Sequence, residues 1–178
     1  MIKAWSEIRT PVIGMLHLLP LLGAPKHSGD LAEIERKLLC DAEALAEGGV
    51  HGLMMENFGD VPFYPWSVPA HVVSQMTRLA LVVRQRYDLP MGINVLRNDG
   101  RSALAIAAAV GANFIRVNVL CGVRMAGEGM IAGMAHDLQR DRLILGAREV
   151  KILADIDVKH AAGMAPIVIE DEVTDTID

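Results

Sequence analysis

The chain has 178 residues, enough for one domain with a substantial core. Its net charge of −5, its pI of about 5.7 and its lack of any Lys/Arg cluster argue against a nucleic-acid partner. Hydrophobic residues make up 52% and mean hydropathy is +0.31, yet no apolar run approaches the roughly 20 residues of a membrane helix, so no transmembrane segment is expected.

The apolar excess therefore belongs to a buried parallel sheet and the helix faces that cover it. Aromatic residues are 4% of the chain, so Ala, Val, Leu, Ile and Met must fill the core, and the ten methionines read as packing. Cys40 and Cys121 have no CxxC or ligand-like spacing and read as reduced core thiols. The N-terminus lacks the three regions of a signal peptide, so a cytoplasmic location is expected.

In chain order, residues 11–17 predict a first strand, and a Pro/Gly-containing loop at 18–29 follows. Asp30 with Glu33 predicts a helix N-terminus. That helix runs to about residue 47, with Leu31, Ile34, Leu38, Ala42 and Leu45 on one face and Gly48-Gly49 as its stop. A second strand spans about 50–56. The loop after it, 57–69, holds Phe58, Phe63, Tyr64 and Trp66, of which Phe58 and Phe63 read either as a water-excluding lid or as packing over the mouth. A helix at about 70–86, a strand at 90–95 and a helix at 100–110 capped by Asp99 come next. A strand at 113–119 leads into a loop loosened by Gly122, Gly127, Gly129 and Gly133. A helix at 134–145 and a strand at 149–155 complete the pattern. The acidic end, 166–178, reads as another helix or a frayed tail on a single domain spanning 1–178.

Five βα units with no antiparallel hairpin signal predict parallel strands with right-handed crossovers. Each strand also ends in polar residues: His17; Glu56 and Asn57; Asn94 and Arg97; Arg116 and Asn118; Asp155, Asp157 and His160. Polar groups at successive strand ends are how a βα-barrel builds a site on its C-terminal face. Because side chains alternate along a strand, Asn94, Arg116, Asn118, Lys151 and Asp155 are expected to point inward, with Asp157 on the same face as Asp155. Buried charges need partners, so Arg116 or Lys151 is expected to pair with Glu56 or Asp155.

Glu56, Asp155, Asp157, His17 and His160 are the candidates for general acid–base work. Asn57, Asn94, Arg97, Arg116, Asn118 and Lys151 are the candidates for substrate binding. The same carboxylates suit a divalent cation as well; no other cofactor is expected. The bland alternatives are structural ion pairs for Arg116 and Lys151, and hydrogen-bonded structural roles for the two histidines. Cys121 lacks a base at fixed spacing and is not expected to be a nucleophile. Nucleotide-binding glycine motifs, HExxH and GxSxG are all absent.

Four stretches carry a resemblance: GMLHLLPLLGAP at 14–25, GGVHGLMMENFGDVPF at 48–63, LPMGINVLRNDGRSALAIAAAVGANFIRVNVL at 89–120 and VKILADIDVKHA at 150–161. Together they resemble the BtpA/SgcQ family, related to the phosphate-binding barrels. The resemblance implies a TIM-type βα-barrel. It implies an enzyme acting on a small polar or phosphorylated sugar-like metabolite, since some members sit with sugar-metabolism genes. A cyanobacterial member is linked to photosystem I biogenesis at the thylakoid surface, which implies two alternatives: a non-catalytic assembly factor and peripheral membrane association. The chain departs at Leu22, where a second proline is expected, and at Gly100, where alanine is expected. Members of about 250 residues or more supply eight βα units. Here the resemblance fades after Ala165, and about five of eight units are expected. A third alternative is therefore an inactive fragment of a larger barrel. An open sheet with two edges also predicts instability or homo-oligomerisation.

Overall fold

The computed structural model describes residues 2–166 and 168–177. Its framework is a five-stranded parallel sheet in the order β1-β2-β3-β4-β7. The strands are β1 Ile13–His17, β2 Gly52–Glu56, β3 Met91–Asn94, β4 Phe114–Val117 and β7 Lys151–Ala154. Between them run α1 Leu31–Glu47, α2 Ala70–Arg86, α3 Gly100–Val110 and α4 Ala135–Ile144. Each βα unit begins within a few residues of its expected position, because buried apolar strands and amphipathic helices carry different periods. Asp30 accepts from the Ala32 amide to cap α1, and Asp99 accepts from the Ser102 amide to cap α3.

Alternation along each strand sorts the core into two layers. Leu16, Leu53, Met55, Ile93, Ile115 and Val117 face the helices and form the large outer core. On the opposite face, Met54 and Phe114 pack with Ile13, Met15 and the N-terminal residues Ile2 and Trp5. Trp5 sits in a short 3-10 turn, Lys3–Trp5, donates from Nε1 to the His51 carbonyl at 2.6 Å, and meets the Phe114 ring edge-on at 5.5 Å. Two glycines make room for these rings. A Cβ on Gly52 would lie 2.7 Å from the Trp5 ring, and one on Gly92 would lie 2.1 Å from Phe114. The lower end of the inner face is thereby plugged with aromatic and aliphatic carbon.

The segment after β4 differs from the expected loop. Residues Val123–Ala126 (β5) and Gly129–Ala132 (β6) form an antiparallel hairpin, and Ala161–Gly163 (β8) adds to β5 on the other side. The four glycines concealed this hairpin, and so did its inverted pattern: Arg124 is buried while Met125 and Met130 are exposed. Residues Ile169–Ile177 form α5, whose Glu172 pairs with Arg124 and accepts from the Asp157 amide at 3.0 Å. Cys40 is exposed on α1 rather than buried in the core, because it lies off the Ile34, Leu38, Ala42 stripe. Among the described residues, no helix is long and apolar enough to cross a membrane.

Candidate functional site

A cavity of about 620 Å³ opens at the C-terminal ends of the parallel strands. His17, Glu56, Arg97, Arg116, Asn118 and His160 line it, together with Phe58, Phe63, Glu128 and Lys159. The sheet register explains part of this convergence. His17 is paired with Glu56 across β1 and β2, and Glu56 with Asn94 across β2 and β3, so the three share one face in one row.

Their side chains form a chain of contacts. His17 Nε2 lies 2.8 Å from Glu56 Oε1, and Asn94 Nδ2 donates to Glu56 Oε2 at 2.9 Å. Glu56 is buried, whereas the His17 side chain is 47% exposed. The Phe58 ring stacks on the His17 imidazole at 4.4 Å, so the histidine is held from one face and from one nitrogen. A neutral imidazole that donates Nε2–H to a carboxylate keeps Nδ1 as its proton acceptor. The carboxylate fixes the tautomer and the orientation of the ring.

A second group lies beside the first. Arg116 donates from Nε and Nη2 to the two oxygens of Asp155, both at 2.8 Å, and its Nη1 lies 3.9 Å from Glu56. The hydrogen bonds to Asp155 are the main cause that raises the Arg116 guanidinium above its ordinary value, partly offset by burial. Asn118 Nδ2 donates to Asp155 Oδ2 at 3.1 Å. Asn118 Oδ1 is sealed from solvent without a hydrogen-bond partner among the described residues. Arg97 is buried, donates from Nη2 to the Lys159 carbonyl at 2.9 Å, and lies 3.8 Å from the Glu128 carboxylate.

Three expected site residues lie elsewhere. Lys151 is at the start of β7, four residues before Asp155, which at roughly 3.3 Å per residue places it far from the mouth. Its nearest carboxylate is Glu149, at 3.8 Å. Asp157 does not share the inner face with Asp155. The strand ends at Ala154, Asp157 has φ of 51°, and its side chain lines a separate small cavity with Arg124 and Glu172. Asn57 is buried as a loop tie: its Oδ1 accepts from the Leu96 amide at 2.7 Å and its Nδ2 donates to Asp60 at 3.0 Å.

Asp60 in turn accepts from the Leu21 amide at 2.8 Å, and Asn98 both donates to the Val119 carbonyl and accepts from its amide. These ties fix the loops that frame the mouth. Neither Asp60 nor Asn98 was anticipated as a frame residue, although both stand in polar strand-end strings, NFGD and RND. Glu128 and Lys159 were also missed as cavity residues. Glu128 is brought in by the hairpin, and the Gly127-Glu128 pair between two apolar runs is the signal that could have found it.

Among the described residues, no group of three or more His, Cys, Asp or Glu is placed to hold a metal ion. The geometry gives the reason: Asp155 is taken up by Arg116, and Glu56 by His17 and Asn94. Cys121 donates to the Asp175 carbonyl at 3.2 Å, and burial, with the Asp175 charge, raises its thiol above the ordinary value, which disfavours the nucleophilic thiolate.

Parallel strands, helical crossovers and a polar cavity at the strand C-termini define an α/β protein of the TIM-barrel type. The structure is similar to 7,8-dihydropteroate synthase from Vibrio fischeri, with a TM-score of 0.56 at 18% identity, covering 85% of this chain and 47% of that one. This likeness speaks to the fold alone. The BtpA family model matches residues 8–178, and the chain belongs to that family. The match runs through the acidic end, beyond the point near Ala165 where the resemblance was expected to fade. The chain is 47% identical over 172 residues to the photosystem I biogenesis protein BtpA of Synechocystis, covering 97% of this chain and 60% of that protein. It is 45% identical over 170 residues to an uncharacterised protein of Thermococcus kodakarensis, covering 96% of this chain and 64% of the relative. The chain thus spans less than two thirds of the length of these relatives.

Proposed function

We propose that the chain is the site-bearing part of an enzyme acting on a small polar, sugar-like metabolite. His17 is its acid–base group. The observation that carries this reading is the 2.8 Å contact between His17 and the buried Glu56 at the edge of the cavity. A half-exposed imidazole oriented by a buried carboxylate is the arrangement proton transfer requires. Asn94 positions Glu56. Arg116, Asp155 and Asn118 form a rigid polar wall, while Phe58 and Phe63 provide the apolar lining that excludes water. A cavity of about 620 Å³ suits a metabolite rather than a polymer. His160, exposed at the rim, is a contact for polar substituents.

The test is a panel of free and phosphorylated sugars offered to the chain, with products read by mass spectrometry and binding by thermal shift. His17→Asn should lower turnover of any substrate found by roughly 100-fold or more while binding persists. Turnover unchanged in His17→Asn would remove the assignment. A second reading, a non-catalytic assembly factor, is supported by the name of the Synechocystis relative. It predicts a protein partner captured equally well by wild type, His17→Asn and Glu56→Gln.

A further inference from the structure

The cavity holds two guanidinium groups in different states. Arg116 is satisfied by a two-pronged contact with Asp155 at 2.8 Å. Arg97 is 7% exposed, yet it makes one hydrogen bond, to the Lys159 carbonyl, and one loose ion pair, to Glu128 at 3.8 Å. A buried guanidinium has five N–H donors in a fixed fork and is costly to leave short of partners. Among the described residues no nitrogen of Arg97 is both unpaired and sealed from solvent, and the residue lines the cavity.

Glu128 is the other half of this arrangement. It stands with Gly127 in the two-residue turn between β5 and β6, where Ala126 pairs with Gly129. Its carboxylate has no other ion pair or hydrogen bond among the described residues. β8 pairs with β5 from Arg124 to Ala126, so the strand is held up to the turn, and the Glu128 side chain reaches the cavity wall from that turn. Lys159 also lines the cavity and has no ion pair among the described residues. Removing the Glu128 carboxylate from the wall would leave Arg97 and Lys159 facing the same space.

We propose that Glu128 is an exchangeable counter-ion for Arg97, and that an oxyanion on the ligand takes its place. The site then selects metabolites carrying a phosphate monoester or a carboxylate. This deepens the metabolite reading of the cavity and rests on it. The planar fork of Arg97 donates to two oxygens of such a group, a stronger contact than the single 3.8 Å approach of Glu128. A ligand carboxylate keeps the charge balance one for one, and the further negative charge of a phosphate monoester, about −1.5 to −2 in all, faces Lys159 on the same wall. Displacement of Glu128 needs only its side chain to swing away, because the strands flanking the turn stay paired.

The probe is inorganic phosphate, titrated into the isotope-labelled chain and followed through amide NMR shifts. Wild type should show saturable shifts at Arg97, Glu128 and Lys159. Glu128→Gln removes the competing carboxylate and should tighten phosphate binding roughly fivefold, the scale of a partly exposed ion pair. Arg97→Met should abolish saturation. If Arg97→Met does not fold, Glu128→Gln decides alone, because its side chain makes one contact at a turn. Unchanged or weaker binding in Glu128→Gln, absence of saturable shifts in wild type, or saturation that persists in Arg97→Met would each overturn the proposal. The readout is binding, so it stands apart from the turnover test of His17. An active enzyme whose phosphate affinity ignores Glu128 would refute the exchange and leave the metabolite reading intact.

Discussion

The two ends of the inner sheet face are built from the same strands by opposite chemistry. At the lower end, Met54, Phe114, Trp5 and Ile2 close the sheet with carbon, and Gly52 and Gly92 are glycines because the rings lie against their backbone. At the upper end, a short distance along each strand, His17, Glu56, Asn94, Arg116 and Asp155 are tied by hydrogen bonds around an open cavity. One end resists change because its atoms are packed on all sides. The other tolerates change in stability but not in the placement of polar atoms. The division matches the barrel rule that the bottom face serves stability and the top face serves chemistry.

Substitutions at each end should separate these roles. Phe114→Ala empties the plug and should cost about 3–5 kcal/mol of stability, measured by denaturant unfolding. Gly92→Ala places a methyl 2.1 Å from the Phe114 ring and should cost about 1–3 kcal/mol through overpacking. At the mouth, Asp155→Asn leaves Arg116 short of its carboxylate. The amide oxygen still accepts one hydrogen bond, so the cost should be about 0.5–1 kcal/mol, the scale of a partly exposed ion pair.

A smaller effect lies in the frame. Burial, the largest cause, raises the Asp60 carboxyl above its ordinary 3.8, despite hydrogen bonds from the Leu21 amide and Asn57. A raised carboxyl binds its proton more tightly in the fold. Its contribution to stability is therefore fullest below the ordinary value and is lost as pH rises through the folded one. The stability of wild type relative to Asp60→Asn should fall as pH rises above the ordinary 3.8 in urea titrations. Smallest of all, His17→Asn should change stability by less than about 0.5 kcal/mol, because the side chain is half exposed. Its effect belongs to turnover.

The difference between the ends also explains what the sequence discloses. The parallel framework is legible because each strand is a short apolar run followed by a helix of period 3.6 with its own cap, as at Asp30 and Asp99. The meeting of His17, Glu56 and Asn94 is legible because in-register strands put equivalent positions side by side. Alternation stops being informative where a strand stops. Asp157 was placed beside Asp155 by a period that ended at Ala154, and a positive φ turned it toward Arg124. Lys151 pointed inward in the pattern but stands at the wrong height, which periodicity does not encode. The β5–β6 hairpin was hidden because Arg124, buried opposite Ile131, is charged, while the exposed Met125 and Met130 are apolar. Glu128 could not be placed at the mouth without that hairpin. Asn57 gave a polar strand-end signal like its neighbours, yet its hydrogen bonds are spent on Leu96 and Asp60.

The central claim is that the upper end is a ligand site and the lower end is structural support. The most direct test is a titration of the labelled chain with glycerol phosphate, which carries both an oxyanion and hydroxyls, followed by amide and indole NMR signals. Saturable shifts are expected at Glu56, Arg97, Asn118 and His160, with the Trp5 indole N–H unmoved. Shifts centred on Trp5 and the β7 edge, or no saturable shift at the mouth, would contradict the claim.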